Sequence, residues 1–177
     1  MLERINVLSI IKDHFGTLKS LNSPGNRISV PDIFLFIIIP STIAFILDYK
    51  ALTFEKQLGN LIAAVSIFGG FLFNLLAIIY SQFDKIELDA NKENNDLKKK
   101  FVLEIHINIS FCIVTSIIIV LTLLLSTIDI PKFSYDWLLK RIIIGVNYFL
   151  MTLFLLSLIM VVNRVYILLK KEGEKQL

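Results

Sequence analysis

Four apolar blocks of membrane-spanning length constrain this chain more than any other feature. Each block holds about 20 residues, and a helix of that length matches the ~30 Å hydrocarbon core of a bilayer. Hydrophobic residues make up 55% of the 177 residues and charged residues only 19%, and the mean hydropathy is +0.73. These values exclude a soluble globular domain. The predicted fold class is all-α: a four-helix transmembrane bundle of a polytopic membrane protein, with an N-terminal amphipathic cytoplasmic helix.

The blocks and the segments between them define the predicted domain organisation. Residues 1–28 form an N-terminal amphipathic cytoplasmic segment, residues 29–169 the transmembrane domain with a charged cytoplasmic linker at 83–104, and residues 170–177 a cytoplasmic tail. The predicted spans are residues 30–47, 58–82, 105–127 and 139–165. Because every connecting segment is shorter than about 30 residues, an extramembrane catalytic domain of the usual ~50 residues or more does not fit.

The sequence contains none of the motifs of the common enzyme classes. A Walker loop, a G-x-S-x-G elbow and an H-E-x-x-H pair are all missing. His14 and His106 lie far apart in sequence, and the single cysteine, Cys112, falls inside an apolar block. We therefore expect no enzyme, no catalytic residue, no cofactor and no metal site. The net charge of +3 is too small to predict direct reading of duplex DNA.

The N-terminal segment has the spacing of an amphipathic helix. Its apolar residues recur at alternating intervals of three and four, which places them on one face. They are Leu8, Ile11, Phe15 and Leu18. Lys12, Asp13 and Lys19 lie off this face. Such a helix lies on a lipid surface or packs against copies of itself in an oligomer, and its mixed charge and short length favour protein packing. The four apolar residues are therefore the candidates for contact with a partner or with copies of the chain.

Pro40 falls near the middle of the first span. It removes one backbone hydrogen bond, and Ser41 and Thr42 are available to bond the freed carbonyl groups. The sequence therefore predicts a kink. A simple kink and a gating hinge are both compatible with it.

Small and polar residues follow one face of the second span. They are Asn60, Ala63, Gly70, Asn74, Ala77 and Ser81, and only Ile67 interrupts them with a large side chain. Ser66 of the same span is a further candidate. Because lipid offers no partner to an asparagine amide, such a face indicates close helix packing or the lining of a pore.

A second polar stripe follows the third span. It consists of Glu104, Asn108, Cys112, Thr115, Thr122 and Ser126. Serine and threonine hydroxyls bond to their own backbone, whereas Asn108 and Glu104 need partners or water. Asn108 and Thr115 thus join the pore or helix-interface candidates. One stripe can be buried within a monomer, but the other requires another subunit or a water-filled lumen. We therefore expect a homo-oligomer, with a tetramer favoured.

The positive charges predict the orientation of the chain. Thirteen of the 18 Lys and Arg residues lie on the side of both termini and of the 83–104 linker. The positive-inside rule therefore predicts cytoplasmic N and C termini. Lys98, Lys99 and Lys100 adjoin the third span, where lysines contact anionic headgroups. Together with Lys12 and Lys19 they are also candidates for an anionic ligand.

The layout resembles that of small four-span membrane proteins of bacterial anti-phage defence systems. The resemblance covers the whole chain and is carried by two segments. They are Asp13, His14, Phe15, Thr17 and Leu18 in the amphipathic start, and Ser66-Ile67-Phe68-Gly69-Gly70-Phe71-Leu72-Phe73-Asn74 in the second span. The Hailong membrane effector is similar as a small oligomeric channel held closed by a nucleotide from a partner enzyme. The Kiwa membrane sensor is similar and works with a DNA-binding partner.

The resemblance implies an oligomeric effector in the bacterial inner membrane. In the first hypothesis the protein is an ion channel that depolarises the membrane in abortive infection, triggered by a cytoplasmic partner protein or its nucleotide or oligonucleotide product. Its lumen would be lined by the stripes of Asn74 and Asn108. In the second hypothesis it is a non-conducting sensor or scaffold, in which the stripes are helix interfaces and the N-terminal helix recruits a cytoplasmic defence partner.

Overall fold

Helices make up almost all of the described chain. The computed structural model describes residues 6–18, 30–50, 52–54, 56–88, 92–128 and 136–173, without the side chains of 30, 82–88, 92–97, 136 and 171–173. Helix α1 (Val7–Thr17) precedes a first span made of α2 (Val30–Ile33), a π-helical segment (Phe34–Ile38) and α3 (Ile39–Tyr49). Three long helices follow, namely α4 (Leu58–Leu88), α5 (Lys92–Leu125) and α6 (Asp136–Gly173).

Four of these helical stretches are long and apolar enough to cross a membrane. They are Pro31–Tyr49, Leu58–Ser81, Lys98–Leu125 and Trp137–Lys170. This confirms the prediction of an all-α, multi-pass membrane protein. Helices α4 and α5 both run past the predicted spans, to Leu88 and from Lys92, so the charged linker predicted at 83–104 consists largely of their ends.

Helix α5 is the centre of the bundle. Half of its most apolar stretch is buried, against 17–22% for the other three spans. Helices α4 and α6 pack along α5, α3 packs on α6, and α1 packs on α5. The main core joins three helices and contains Val102, Ile105, Ile109, Ile119 and Leu123 of α5, Leu72 of α4, and Phe154 and Val161 of α6. Among the described helices, the backbone of α4 approaches only α5.

Two adjacent glycines of α4 face different surroundings, about 100° apart around the helix. A Cβ atom on Gly69 would lie 3.0 Å from the Oγ atom of Ser116 in α5, whereas a Cβ atom on Gly70 would meet nothing within 4 Å. Gly69 therefore permits the close approach of α4 to α5. The Ser116 hydroxyl needs no partner from α4, because it donates a hydrogen bond to the carbonyl oxygen of Ile113 at 2.7 Å.

Pro40 follows the π-helical segment of the first span directly. A proline cannot donate a backbone hydrogen bond, and its ring clashes with the carbonyl group one turn earlier. The wider π-helical turn accommodates that clash, since the N–H of Ile39 bonds to the carbonyl oxygen of Phe34, five residues back. Thr42 then donates its hydroxyl to the carbonyl oxygen of Ile38 at 2.8 Å. This is an ordinary bond one turn back, and Ile38 does not carry the carbonyl freed by Pro40, which belongs to residue 35 or 36, so the predicted use of Thr42 stays a prediction.

We predict that Gly69→Leu separates α4 from α5. The new side chain has to displace Ser116, and overpacking of this kind lowers the free energy of unfolding by about 1–3 kcal/mol. The measurement is unfolding in mixed micelles by titration with dodecyl sulfate, followed by circular dichroism. Gly145→Leu is the matched control, because a Cβ atom there meets nothing within 4 Å. Equal unfolding curves for the two variants would contradict the proposed close approach.

Candidate functional site

The polar stripe of α4 faces away from the rest of the chain. All seven small or polar residues of this face are exposed, namely Asn60, Ala63, Ser66, Gly70, Asn74, Ala77 and Ser81. The opposite face of α4 carries Val65, Leu72 and Ile79 at intervals of seven, and these residues are buried. The buried face is the one that packs on α5. The outer face of α4, as we call these seven residues with Ile67, is thus unpartnered within the described chain.

Asn74 carries the amide of this face that finds no hydrogen-bond partner in the described chain; the smaller hydroxyl of Ser66 finds none there either. The amide of Asn60 donates to the Oε1 atom of Gln57 at 2.9 Å, and the hydroxyl of Ser81 donates to the carbonyl oxygen of Ile78 at 2.8 Å. Asn74 has no hydrogen-bond partner among the described residues, although it lies inside the span Leu58–Ser81. An amide in hydrocarbon without a partner costs several kcal/mol. Asn74 therefore requires a partner from outside the described chain, or water.

The polar stripe of α5 has the opposite environment. Asn108, Cys112 and Thr115 are all buried. Thr115 donates its hydroxyl to its own helix, at the carbonyl oxygen of Phe111. Of the seven pore or helix-interface candidates, Asn108 and Thr115 are thus enclosed within the chain, and the other five lie on α4 and are exposed.

The far end of this stripe makes a second buried polar contact. Thr122 donates its hydroxyl to the Oδ1 atom of Asn147 in α6 at 2.8 Å. The Nδ2 group of Asn147 donates in turn to the carbonyl oxygen of Ile143 at 2.9 Å. This pair ties α5 to α6 without leaving the Asn147 amide unsatisfied.

Asn108 joins α1 to α5 through a buried hydrogen-bond network. Its Oδ1 atom lies 2.7 Å from the Nδ1 atom of His14 and 3.0 Å from the hydroxyl of Thr17, whose one proton it shares with the carbonyl oxygen of His14 at 2.7 Å. Its Nδ2 group donates to the carbonyl oxygen of Glu104 at 2.7 Å. Because a carbonyl oxygen only accepts, the amide orientation is fixed, and the Nδ1 atom of His14 must carry the proton. His14 is therefore held as one neutral tautomer.

An ion pair extends the network to α6. Arg164 donates from Nη1 to the Oε2 atom of Glu104 and from Nη2 to the carbonyl oxygen of Thr17 at 3.1 Å. The arginine thus bonds to α5 and to the C-terminal end of α1 together. Both side chains of the pair are mostly buried, and a guanidinium group suits such a site because it presents its donors in a fixed fork.

Aromatic rings enclose the imidazole of His14. It stacks on Phe111 with ring centroids 3.7 Å apart and 3° between the planes, and the edges of Phe15 and Phe36 complete the pocket. The Nε2 atom is buried and has no hydrogen-bond partner among the described residues. Burial is the main reason that the pKa of His14 is lowered to about 4; the bond to Asn108 opposes this shift and the charge of Arg164 adds to it.

Helix α1 packs on its own chain, which differs from the two arrangements considered from the sequence. Leu18 is buried, Ile11 and Phe15 are half-buried, and Leu8 is 77% exposed. The face in contact with α5 is centred on His14 and the residues around it, so it is rotated from the purely apolar stripe. The sequence does indicate this packing face when polar residues are counted with the apolar ones. Ile10, His14 and Thr17 recur at intervals of four and three, which places them on one side of the helix.

The predicted cationic candidates occupy two places. Lys12 is exposed on α1, and Lys19 lies outside the described residues. Lys100 is exposed at the start of the α5 span, where Lys98 and Lys99 are half-buried. The structure therefore does not bring Lys12 together with the three α5 lysines through any contact that it describes. Within the described part of the chain, no group of three or more His, Cys, Asp or Glu side chains could hold a metal ion.

Comparison with known proteins gives no match: no family model, no curated protein and no solved structure is significantly similar to the chain.

We predict that Asn108→Leu releases α1. The substitution removes the acceptor of the His14 proton inside an apolar pocket, and losing such a bond costs about 1–3 kcal/mol. The backbone amides of α1 should then exchange hydrogen for deuterium roughly tenfold faster or more. Mass spectrometry of peptides from residues 6–18 measures this rate. Thr115→Val is the control, because Thr115 bonds only within α5, and α1 should keep its protection in that variant.

We also predict that acid weakens the docking of α1. The docked state holds His14 neutral, with its pKa lowered from 6.5 to about 4, so the released state binds more protons between these values. The full stabilisation is present above pH 6.5. As the pH falls from there towards about 4, the equilibrium constant for docking of α1 decreases roughly tenfold per pH unit. Amide exchange of residues 6–18, corrected for intrinsic rates, follows this change. A His14→Phe variant should lack the dependence; the same dependence in that variant would assign it to another group.

Proposed function

We propose that this protein is a homo-oligomeric membrane channel whose subunits meet through the outer faces of their α4 helices. The observation that carries the proposal is the unsatisfied amide of Asn74 on an exposed face inside a membrane span. Lipid cannot satisfy this amide. A second copy, or water enclosed by several copies, satisfies it without any change in the fold of the single chain.

The spacing of the outer face supports contact between copies of α4. Its residues alternate at intervals of three and four and fall into two sets of heptad positions. One set contains Asn60, Ile67, Asn74 and Ser81, and the other contains Ala63, Gly70 and Ala77. The second set consists only of small residues, which allow helix backbones in a membrane to approach closely. A single polar residue in such a seam also favours one register and one number of helices.

The first set would then face the axis of the assembly. Asn60, Asn74 and Ser81 supply polar groups along that axis, and Ile67 supplies one apolar ring between the first two asparagines. Successive members lie about 10 Å apart, since seven residues rise ~1.5 Å each. An apolar ring between polar rings forms a hydrophobic constriction that closes a channel by excluding water. We therefore assign the closed gate to Ile67, in an assembly for which a tetramer is favoured.

We further propose that both termini are cytoplasmic and that the channel is an effector of bacterial anti-phage defence in the inner membrane. The orientation is supported by the thirteen of 18 Lys and Arg residues on the side of the termini. The role in defence rests on the resemblance of the layout alone. A trigger from a cytoplasmic partner, or from its nucleotide product, would reach α1 first, because α1 lies on the side of the termini.

We predict opposite effects of two substitutions on ion flux through liposomes that contain the purified protein. Asn74→Leu should abolish flux, because it removes the polar group in the lumen while leaving the apolar span intact. Ile67→Ser should raise flux in the absence of any trigger, by roughly tenfold or more if it removes a dewetting barrier of above ~1.4 kcal/mol. Flux is read with a potassium-sensitive dye under an imposed gradient.

Matched variants separate pore lining from general effects on the membrane. Phe73→Leu changes an exposed residue beside the outer face and should leave flux unchanged. Gly70→Leu should reduce the oligomer mass measured by light scattering in detergent, because it enlarges the seam of small residues. An intact oligomer with no flux, even for Ile67→Ser, would support the non-conducting sensor or scaffold instead. Unchanged flux and unchanged mass in all variants would remove α4 from the interface.

A further inference from the structure

A shallow apolar groove lies between α4 and α5 at one end of the bundle. It has a volume of about 170 Å³ and is lined by Ile79, Tyr80, Val102, Leu103 and His106. Ile79 and Val102 are buried and form its floor, whereas Tyr80 and Leu103 are 63% and 50% exposed and form its rim. The groove therefore opens outward, towards lipid.

The groove lies at the level of the membrane interface. Tyr80 is next to the last residue of the span Leu58–Ser81, and His106 lies eight residues into the span Lys98–Leu125, which runs in the opposite direction. Eight helical residues rise about 12 Å, so a 28-residue span extends past a ~30 Å core by roughly that length. Tyrosine and histidine combine an apolar ring with a polar tip, which suits this level.

Lysines stand over the groove on the same face of α5. At about 100° per residue, Lys99 falls between Leu103 and His106 around the helix axis, and Lys100 lies on the other side of Leu103. Both lysines are about one turn further from the membrane centre than Leu103. A cationic group thus stands above an apolar groove, with the hydroxyl and imidazole groups at the boundary between them.

We propose that this groove binds one anionic phospholipid. An acyl chain lies against Ile79, Val102 and Leu103, and the phosphate contacts Lys99 and Lys100, as lysines beside a membrane span do with anionic headgroups. Tyr80 and His106 donate hydrogen bonds at the level of the glycerol ester groups. The groove borders the outer face of α4 without including Asn74, because Tyr80 lies about 120° around the helix from Asn74 and about 60° from Ala77.

Native mass spectrometry of lipid binding tests this site. The full-length protein in detergent is titrated with dioleoyl phosphatidylglycerol or with dioleoyl phosphatidylcholine. The first lipid should bind more tightly than the second. In a Lys99→Gln, Lys100→Gln variant, affinity for phosphatidylglycerol should fall about fivefold per lysine removed, and affinity for phosphatidylcholine should change little. A matched Lys50→Gln, Lys56→Gln variant changes two exposed lysines outside the groove and should bind both lipids as before.

A second pair of variants tests the groove itself with all lysines present. Leu103→Trp fills the groove and should lower affinity for phosphatidylglycerol several-fold, whereas Leu121→Trp, an equally exposed position on the same helix, should not. Glycerol phosphate without acyl chains should fail to displace the lipid. Three results would each overturn the proposal: equal losses of phosphatidylglycerol affinity in both lysine variants, equal losses of that affinity in both tryptophan variants, or displacement of the lipid by glycerol phosphate. A fall in oligomer mass with Leu103→Trp would instead assign the groove to a second copy.

Discussion

The hydrogen bonds of the Asn108 amide are the interaction on which the docking of α1 on α5 depends. An amide inside a membrane span must be satisfied by protein, because hydrocarbon offers nothing in exchange. Asn108 has partners at both ends of its amide, with the imidazole of His14 and the hydroxyl of Thr17 beside its oxygen and a carbonyl oxygen at its nitrogen. An isolated helix of 11 residues is marginal in water, so α1 owes its place to this contact and to the apolar cluster around Phe111.

The same rule has the opposite outcome on α4. Asn74 lies in a neighbouring span and carries the same amide, yet no described residue satisfies it. The polar stripe of α5 therefore finds its hydrogen-bond partners within the described chain, whereas the Asn74 amide in the polar stripe of α4 does not. Removing the second stripe would cost the single chain nothing in packing, because the outer face of α4 touches no other described helix. This difference between the two stripes, more than the presence of polar residues in spans, points to an assembly.

The four spans were predictable from the sequence, because the thickness of the membrane sets the length of a spanning helix and its hydrocarbon core requires apolar side chains. The need for partners at Asn108 and Glu104 was also predictable from their depth. The identity of those partners was not, because His14 and Arg164 are 94 and 60 residues away along the chain and meet them only after the helices pack. The orientation of α1 was missed for a related reason: counting apolar residues alone places His14 off the packing face.

Helix α5 is the most direct described route by which α1 and α4 can influence one another, beside a side-chain route through α6, where Arg164 bonds to Thr17 and Phe154 contacts Phe68. On one side it holds α1 through Asn108 and Phe111, and on another it holds α4 through the close approach of Ser116 to Gly69. The contact with α4 is tight and lacks any hydrogen bond between the two helices in the described chain, so α4 follows α5 as a packed surface and not through a polar switch. A movement of α5 that accompanied the release of α1 would therefore shift the whole outer face of α4 together, including Ile67 and Asn74. In the proposed assembly, coupling between α1 and α4 thus requires only that α5 has two positions, and the Nε2 atom of His14, buried without a partner among the described residues, is a polar group whose release into water favours undocking.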